Sequence, residues 1–288
     1  MIPSIPQPKS ARVAYGIYVA MFFVYLIAPL VVVGTFAFND SLFPSLPWEG
    51  FTWDWFFNDT EPRLGLFHDR SLLGGVGVSL FVAFWVTLLS VCVGTTNAFL
   101  FERHNFPMKS FFFILMLMPL VIPGVILGIS ILVFSNTIAN GTEDLFGLDL
   151  EFLRPGLFLV VMGQFSFITT IATLVISARL RKFDLSLEEA ALNLGATKWG
   201  AVRTITLPFL KPAMIGSAVV AFLMSFENFN TTLMLVGSDA PLTITMYDRL
   251  KEGSTPVLNA VSLMLMLGSG LLALISVLAQ RDKGIKDG

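Results

Sequence analysis

Long apolar segments alternate with short polar segments along the 288-residue chain. An apolar run of about 20 residues is enough to cross the hydrocarbon core of a bilayer as a helix. The first run is too long for the core of a signal peptide and lacks a clear cleavage site, so we interpret it as a retained membrane helix. The pattern predicts an all-α integral membrane protein with a single transmembrane domain. The six predicted helices cover residues 13–38, 72–100, 110–134, 156–178, 212–237 and 258–280.

The composition agrees with a membrane protein and does not indicate an enzyme. Hydrophobic residues make up 55% of the chain and charged residues 13%, with a mean hydropathy of +0.78, whereas soluble domains carry about a quarter charged residues. The single cysteine, Cys92, excludes an internal disulfide framework. His68 and His104 are far apart in sequence, and no Ser/His or Cys/His arrangement occurs. We therefore predict no catalytic residue and no metal site.

The basic residues are distributed unevenly between the predicted loops. Thirteen of the 18 Lys and Arg residues fall in the two termini and in residues 102–109 and 179–211, and the alternate loops hold the other five. Because the cytoplasmic loops of membrane proteins are enriched in Lys and Arg, we expect the first group to be cytoplasmic. Both termini are then predicted to lie inside the cell, with the polar loop of residues 183–208 on the same side.

The loop of residues 183–208 separates two apolar segments and has the pattern of two short helices. Ser186 and Glu189 form an S-x-x-E pair, which can satisfy backbone donors at a helix start. Gly195 suits the left-handed position just beyond a helix end. A second helical run is predicted to stop at Pro208, because proline removes a helical hydrogen bond. The loop is therefore predicted to form a compact helical hairpin that can dock into another protein.

The same loop carries a spaced motif. Glu189-Ala190-Ala191 is followed after three residues by Gly195, after nine more by Ile205, and then by Leu207-Pro208. This spacing resembles the EAA signature of permease subunits in bacterial binding-protein-dependent ABC importers. The resemblance implies a type I ABC importer (MetI-like) permease fold, whose cytoplasmic coupling helix contacts an ATPase; an ordinary capped surface helix is the alternative. The residues assigned to ATPase coupling are Glu188, Glu189, Ala190, Ala191, Gly195, Ile205, Leu207 and Pro208.

The resemblance also implies partners and a location. The chain contains no G-x-x-x-x-G-K-[ST] phosphate loop, so a partner ATPase is expected to bind ATP and Mg, and no cofactor is expected in this chain. The expected assembly contains a second homologous permease, two cytoplasmic ATPase subunits and a periplasmic or lipid-anchored substrate-binding protein. We expect it to lie in the lipid of the bacterial inner membrane, to work by alternating access and to bind no nucleic acid.

Glu227 is the one acid that the pattern places inside the membrane, near the middle of the fifth predicted helix. A charge at the centre of a membrane helix costs roughly 2.5–3.5 kcal/mol on insertion scales, so this side chain should face the protein interior. One hypothesis is that Glu227 lines a translocation pathway together with Ser225, Asn228 and Asn230. The alternative is a structural acid, either paired with a partner subunit or kept protonated by burial.

Two prolines interrupt the third predicted helix, Pro119 and Pro123. They predict a bend that exposes backbone carbonyl groups near the middle of the membrane. Irregular backbone is tolerated there where it faces protein or a water-filled cavity. Lining of the pathway and simple kinked packing explain these prolines equally well.

The substrate is indicated by the resemblance alone. Within the importer permeases the chain is most similar to the spermidine/putrescine class, over nearly its whole length. Polyamine permeases commonly carry two adjacent aspartates where this chain has Glu227-Asn228, and a single carboxylate suits a monocation or a smaller amine. The resemblance implies import of a small polar solute, a polyamine or related amine, with an opine, thiamine or ferric ion as alternatives. An ion-coupled secondary transporter that uses Glu227 is the alternative from another class.

Overall fold

The structure is a computed structural model that describes residues 8–253 and 255–284. Within these ranges all regular secondary structure is helical, and six helices are long and apolar enough to cross a membrane, which confirms the predicted architecture. The six are α1 (Lys9–Phe36), α3 (Arg70–Arg103), α5 (Gly124–Phe146), α6 (Leu157–Leu180), the continuous segment Lys198–Phe226 and α12 (Pro256–Gly284). The segment Lys198–Phe226 comprises α8 (Lys198–Ala201), a π turn (Val202–Thr206) and α9 (Leu207–Phe226). The shorter helices are α2 (Asp54–Phe57), α4 (Lys109–Val121), α7 (Ser186–Asn193), α10 (Thr232–Leu235) and α11 (Leu242–Glu252).

The third predicted span, residues 110–134, is two helices rather than one bent helix. α4 contains Pro119 and ends at Val121, and α5 begins at Gly124. Ile122 between them is extended, with ψ 131°, because the ring of Pro123 disfavours helical backbone at the preceding residue. α5 then continues past the predicted end to Phe146, since the polar residues that end the apolar pattern do not themselves break a helix.

The fifth predicted span, residues 212–237, is displaced in the structure. Its helix, α9, already begins at Leu207, directly after the π turn. Pro208 therefore lies in the first turn of α9, where a missing amide hydrogen is tolerated. α9 ends at Phe226, and Glu227 is its C-cap, with φ −88° and ψ 0°. The placement of Glu227 near the middle of a helix is therefore wrong. Residues 227–231 are non-helical and lead into α10.

Helix α6 is the centre of the compact unit that contains Ser71–Asp248. Gly94 lets α3 approach it closely, because a Cβ on Gly94 would lie 2.9 Å from the Ala172 Cβ. One apolar cluster packs α6 against α3, α9 and α10, and its buried members include Val82, Val86, Leu159, Val160, Ile168, Ala221 and Leu235. A second cluster lies toward the C-terminal end of α6 and consists of Ala98, Ile176, Leu180, Phe183 and Leu210. The two clusters fix the two ends of α6, and a candidate site lies at each end.

A second compact unit contains the described residues up to Arg70 together with part of the chain after Arg249. No residue of α1 is buried, which is expected of a helix that faces lipid or another subunit. The segment that follows α1 forms an aromatic cluster in which the rings of Phe38 and Phe51 stack with their centroids 5.1 Å apart. Trp55 is buried and donates from Nε1 to the Asn39 carbonyl oxygen at 2.8 Å.

Candidate functional site

The start of α7 is capped by a different residue from the predicted one. The Ser186 amide donates to Asp184 Oδ1 at 3.0 Å, and this bond, with a second from the Ser186 hydroxyl, lowers the pKa of the Asp184 carboxyl from its ordinary value. The predicted pairing of Ser186 with Glu189 is wrong, because Ser186 is already inside the helix. An aspartate two residues before a free backbone donor closes a compact turn that the S-x-x-E pattern does not reveal.

The end of α7 has the predicted glycine turn. The Gly195 amide donates to the Leu192 carbonyl and the Ala196 amide donates to the Ala191 carbonyl, both at 3.0 Å. These are the two hydrogen bonds of a Schellman motif. Gly195 has φ +90°, a conformation that residues with a Cβ rarely adopt. The turn leads directly into α8 and folds α7 and α8 into a hairpin.

The α7–α8 hairpin presents an apolar surface to the outside of the chain. Leu194 is 90% exposed and Trp199 is 68% exposed. Glu189 and Ala190 of the same hairpin are also exposed, and Glu189 has no ion-pair partner in the described parts of the chain. We call this the hairpin surface, and its members are Leu185, Leu187, Glu189, Ala190, Leu194 and Trp199. Exposed apolar side chains grouped in this way are typical of a surface that a partner protein covers.

The other residues assigned to coupling are turned toward the chain's own helices. Glu188 accepts two hydrogen bonds from Arg103, at 3.0 and 3.2 Å, and a third from the hydroxyl of Thr206. Ile205 packs against the second apolar cluster. Ala191 and Leu207 are half-buried, whereas Pro208 is exposed. Sequence reasoning missed Arg103, although its position in the predicted cytoplasmic loop opposite an acid was a usable signal.

A chain of hydrogen bonds holds the backbone where α9 ends, at the other end of α6. The Ser225 hydroxyl donates to Gln164 Oε1 at 2.5 Å, and Gln164 Nε2 donates to Thr232 Oγ1 at 2.8 Å. The Thr232 hydroxyl in turn donates to Asn228 Oδ1 at 3.0 Å. Ser225, Gln164 and Thr232 are buried, so this network satisfies polar groups that would be costly to leave unpaired. Gln164 on α6 was not among the predicted site residues.

The break after α9 lies against the break between α4 and α5. A Cβ on Gly124 would lie 3.1 Å from the Asn230 Cβ and 3.1 Å from Thr231 Oγ1. The structure therefore brings Asn230 next to the residue that follows Pro123, while Pro119 lies further back in α4. The Thr231 hydroxyl is buried and has no hydrogen-bond partner among the described residues. Two irregular backbone segments thus meet at one place, as a solute pathway or a packed junction requires.

Glu227 and Asn230 are exposed in the isolated chain, whereas Ser225 and Asn228 belong to the internal network. Within the described ranges the Glu227 carboxylate has no ion-pair partner. The described part of the chain therefore does not provide the burial or the pairing expected of a structural acid.

Comparison with known proteins places these sites in a family. Residues 90–281, which include both sites, match the binding-protein-dependent transport system inner membrane component family. The chain is 28% identical to the putrescine transport system permease protein PotI of Escherichia coli strain K12, over 91% of this chain and 89% of the relative. It is 26% identical to the spermidine/putrescine transport system permease protein PotC of the same strain, over 94% of this chain and 96% of the relative.

A solved structure shows the same fold. It belongs to a bacterial ABC transporter involved in the import of the acidic polysaccharide alginate, and the match has a TM-score of 0.70 at 17% identity, covering 95% of this chain and 96% of the other. The predicted type I importer permease fold is confirmed by this likeness. The chain therefore belongs to the family of binding-protein-dependent transport system inner membrane components and is a permease subunit of an ABC importer.

Proposed function

We propose that this chain is a membrane subunit of an ATP-driven importer for a polyamine or related amine that a binding protein delivers. The observation that carries the ATP-driven part is the hairpin surface, where apolar side chains and Glu189 are exposed on a hairpin tied to the membrane helices through Glu188. A separate ATPase subunit buries this surface and binds the ATP and Mg, and its closure displaces the hairpin.

The assembly contains two permeases and two ATPase subunits, one for each hairpin. The second permease is homologous and covers the exposed break that carries Glu227 and Asn230. A periplasmic or lipid-anchored binding protein docks on the opposite side of the membrane. Both termini and the hairpin lie in the cytoplasm, in agreement with the distribution of Lys and Arg.

Glu227 supports a cationic substrate, because an exposed carboxylate at a break in the membrane helices attracts an ammonium group. The names of PotI and PotC support the same class. The neighbouring residue Asn228 is neutral and its side chain is held in the internal network. A diamine or longer polyamine therefore needs its further acidic partners from the second permease.

Uptake into proteoliposomes that contain the purified complex and its binding protein tests this proposal. We expect uptake of labelled putrescine to require ATP on the hairpin side and to survive an uncoupler. Uptake that survives ATP depletion but collapses with an uncoupler would instead favour an ion-coupled transporter that uses Glu227. Thermal-shift screening of the binding protein against amines, opines, thiamine and ferric ion decides the substrate separately.

A further inference from the structure

Glu188 and Glu189 are adjacent acids, but the first side chain faces the chain's own helices and the second faces outward. The Glu188 side chain is 16% exposed and lies against Arg103, whose side chain is 19% exposed. Glu189 belongs to the hairpin surface and is exposed. The resemblance to importer permeases assigns both residues to ATPase coupling, but only Glu189 is placed to touch another protein. Glu188 is already occupied within its own chain.

The contacts of Glu188 join three separate parts of the fold. Arg103 is the last residue of α3 and holds both carboxylate oxygens of Glu188 with its two terminal nitrogens. Such a paired arrangement fixes orientation as well as distance. Thr206, which is fully buried at the end of the π turn, donates its hydroxyl to the same carboxylate. α7 is thereby connected to the end of α3 and to the start of α9.

Aromatic contacts reinforce this junction. The Arg103 guanidinium lies over the Phe183 ring, 5.3 Å from its centroid, and such a contact is stabilising when it is shielded from water. Phe183 is buried and packs edge-on against Phe209 of α9, with 5.2 Å between the ring centroids. Arg103 is thus held on one side by Glu188 and on another by the segment between α6 and α7.

A neighbouring ion pair provides a contrast on the same helix. Glu102 pairs with Arg181 at 2.8 Å, but the Arg181 side chain is 63% exposed, and the pair joins two parts of the fold rather than three. Exposed pairs contribute little because solvent screens them. The pair of Arg103 and Glu188 is the one placed to transmit a displacement.

We infer that Arg103, Glu188 and Thr206 form a positioning clamp that carries movement of the α7–α8 hairpin to α3 and α9. The inference rests on the proposed function, because the movement originates in a partner ATPase. Without the clamp, the hairpin remains joined to α6 and α9 by backbone only. The exposed residues before α7 and the π turn then change conformation when the hairpin moves, and α3 and α9 stay in place. Glu188 is then a positioning residue, and the ATPase contact belongs to the hairpin surface.

Substitutions in the complete transporter test the clamp. For Arg103→Ala, Glu188→Gln and Thr206→Val, we expect the ATPase subunits to co-purify as in the wild type and ATP hydrolysis to continue. Transport per ATP hydrolysed should fall by at least about fivefold for Arg103→Ala, the lower end of typical coupling effects. The double variant Arg103→Glu with Glu188→Arg should recover part of this ratio. The matched control, Arg181→Ala, removes the exposed pair and should leave the ratio unchanged.

Two results would overturn the inference. One is loss of the ATPase subunits, which in Glu188→Gln would make Glu188 a direct contact and in Thr206→Val would mean that the clamp holds the docked ATPase rather than transmits its movement. The other is an unchanged transport-to-hydrolysis ratio in all three single variants. If Arg103→Ala does not insert, Thr206→Val and Arg103→Lys decide, since both keep the two charges. A wild-type complex that contains no ATPase at all contradicts the proposed function instead.

A distance measurement checks the mechanical link directly. Spin labels at His104 and Asn193, which are both exposed, report the separation of the α3 end from the α7 end. A Cys92→Ser background removes the single native cysteine. We expect one narrow distance distribution that is the same with and without nucleotide, and a broadened distribution in Thr206→Val and Arg103→Lys. A nucleotide-dependent shift in the unsubstituted clamp would contradict the link.

Discussion

Among single residues, two pairs of sequence neighbours each consist of one side chain that makes internal contacts and one that is exposed. Asn228 is held in a buried hydrogen-bond network, while Glu227 beside it is exposed and unpaired in the described structure. Glu188 is clamped inward, while Glu189 is exposed. The sequence identifies all four as polar residues in unusual places. It does not reveal their orientation, which depends on where α7 begins and where α9 ends.

Glu227 provides the first prediction. Glu227→Gln removes the charge at nearly constant size, so uptake of a cationic amine at low concentration should fall about tenfold, which corresponds to ~1.4 kcal/mol of lost attraction. Assembly with the partner subunits should persist, because the pathway hypothesis assigns the Glu227 carboxylate to the solute rather than to a contact between subunits. Uptake assays and co-purification measure the two effects. Normal uptake and substrate profile in both Glu227→Gln and Glu227→Ala, together with poor assembly, would make Glu227 a structural acid.

Gly195 provides the second prediction. Gly195→Val places a β-branched side chain at φ +90°, and the left-handed region already costs about 1–2 kcal/mol for an ordinary residue. The turn between α7 and α8 should therefore distort, and co-purification of the ATPase should fall while membrane insertion stays normal. Gly195→Asn is the matched variant, because asparagine tolerates the left-handed region better, and it should retain more ATPase. Full ATPase recovery with Gly195→Val would contradict this account of the turn.

Asp184 provides a prediction about pH. Its pKa is lowered by the bonds from Ser186, so the folded cap favours the carboxylate. The cap's contribution to the stability of α7 is therefore complete at pH values above 3.8, the ordinary pKa of aspartate. The contribution is lost as the pH falls through the lower pKa that Asp184 has in the folded protein. Hydrogen exchange in the first turn of α7 should show more protection in the wild type than in Asp184→Ala at about pH 5–7. A difference that disappears between neutral pH and pH 5 would contradict the cap.

At the level of helices, α3 approaches α6 so closely at Gly94 that alanine should destabilise the protein there, although alanine favours a helix more than glycine does. Gly94→Ala should gain up to about 1 kcal/mol of propensity, but its Cβ would lie 2.9 Å from the Ala172 Cβ and 3.0 Å from the Thr173 amide nitrogen. Overpacking of this kind costs about 1–3 kcal/mol. The thermal stability of the purified protein should therefore fall. Gly77→Ala, on the same helix with no atom within 4 Å of its Cβ, should not lower it.

The number of membrane helices could be predicted because apolar length is set by the bilayer, but most helix ends could not. Pro208 predicts a stop and lies instead at the start of α9, because a π turn precedes it. Glu227 falls in a predicted span but caps a helix, and the irregular backbone that follows it meets Gly124 of another element at Asn230 and Thr231. Gly195 was predictable because its turn is local. The remaining features depend on contacts between distant parts of the chain, such as Arg103 with Glu188, which the sequence pattern does not show.

At the scale of the whole molecule, the candidate sites occupy the two ends of α6. The hairpin and its clamp lie beyond the C-terminal end of α6, and the broken segments around Asn230 pack near its N-terminal half, where Gln164 lies. α6 is the most deeply buried of the six candidate spans in the described chain. A buried central helix with the hairpin at one end and irregular backbone toward the other is the arrangement that the proposed coupling requires.

The most direct measurement is site-specific labelling and cross-linking of the hairpin in the native complex. Leu194→Cys in a Cys92→Ser background places one thiol on the most exposed part of the hairpin surface. We expect an impermeant thiol reagent to reach it only from the cytoplasmic side, and a short cross-linker to join it to an ATPase subunit. Labelling from the periplasmic side, or a purified complex in which the hairpin meets no ATPase, would contradict the account.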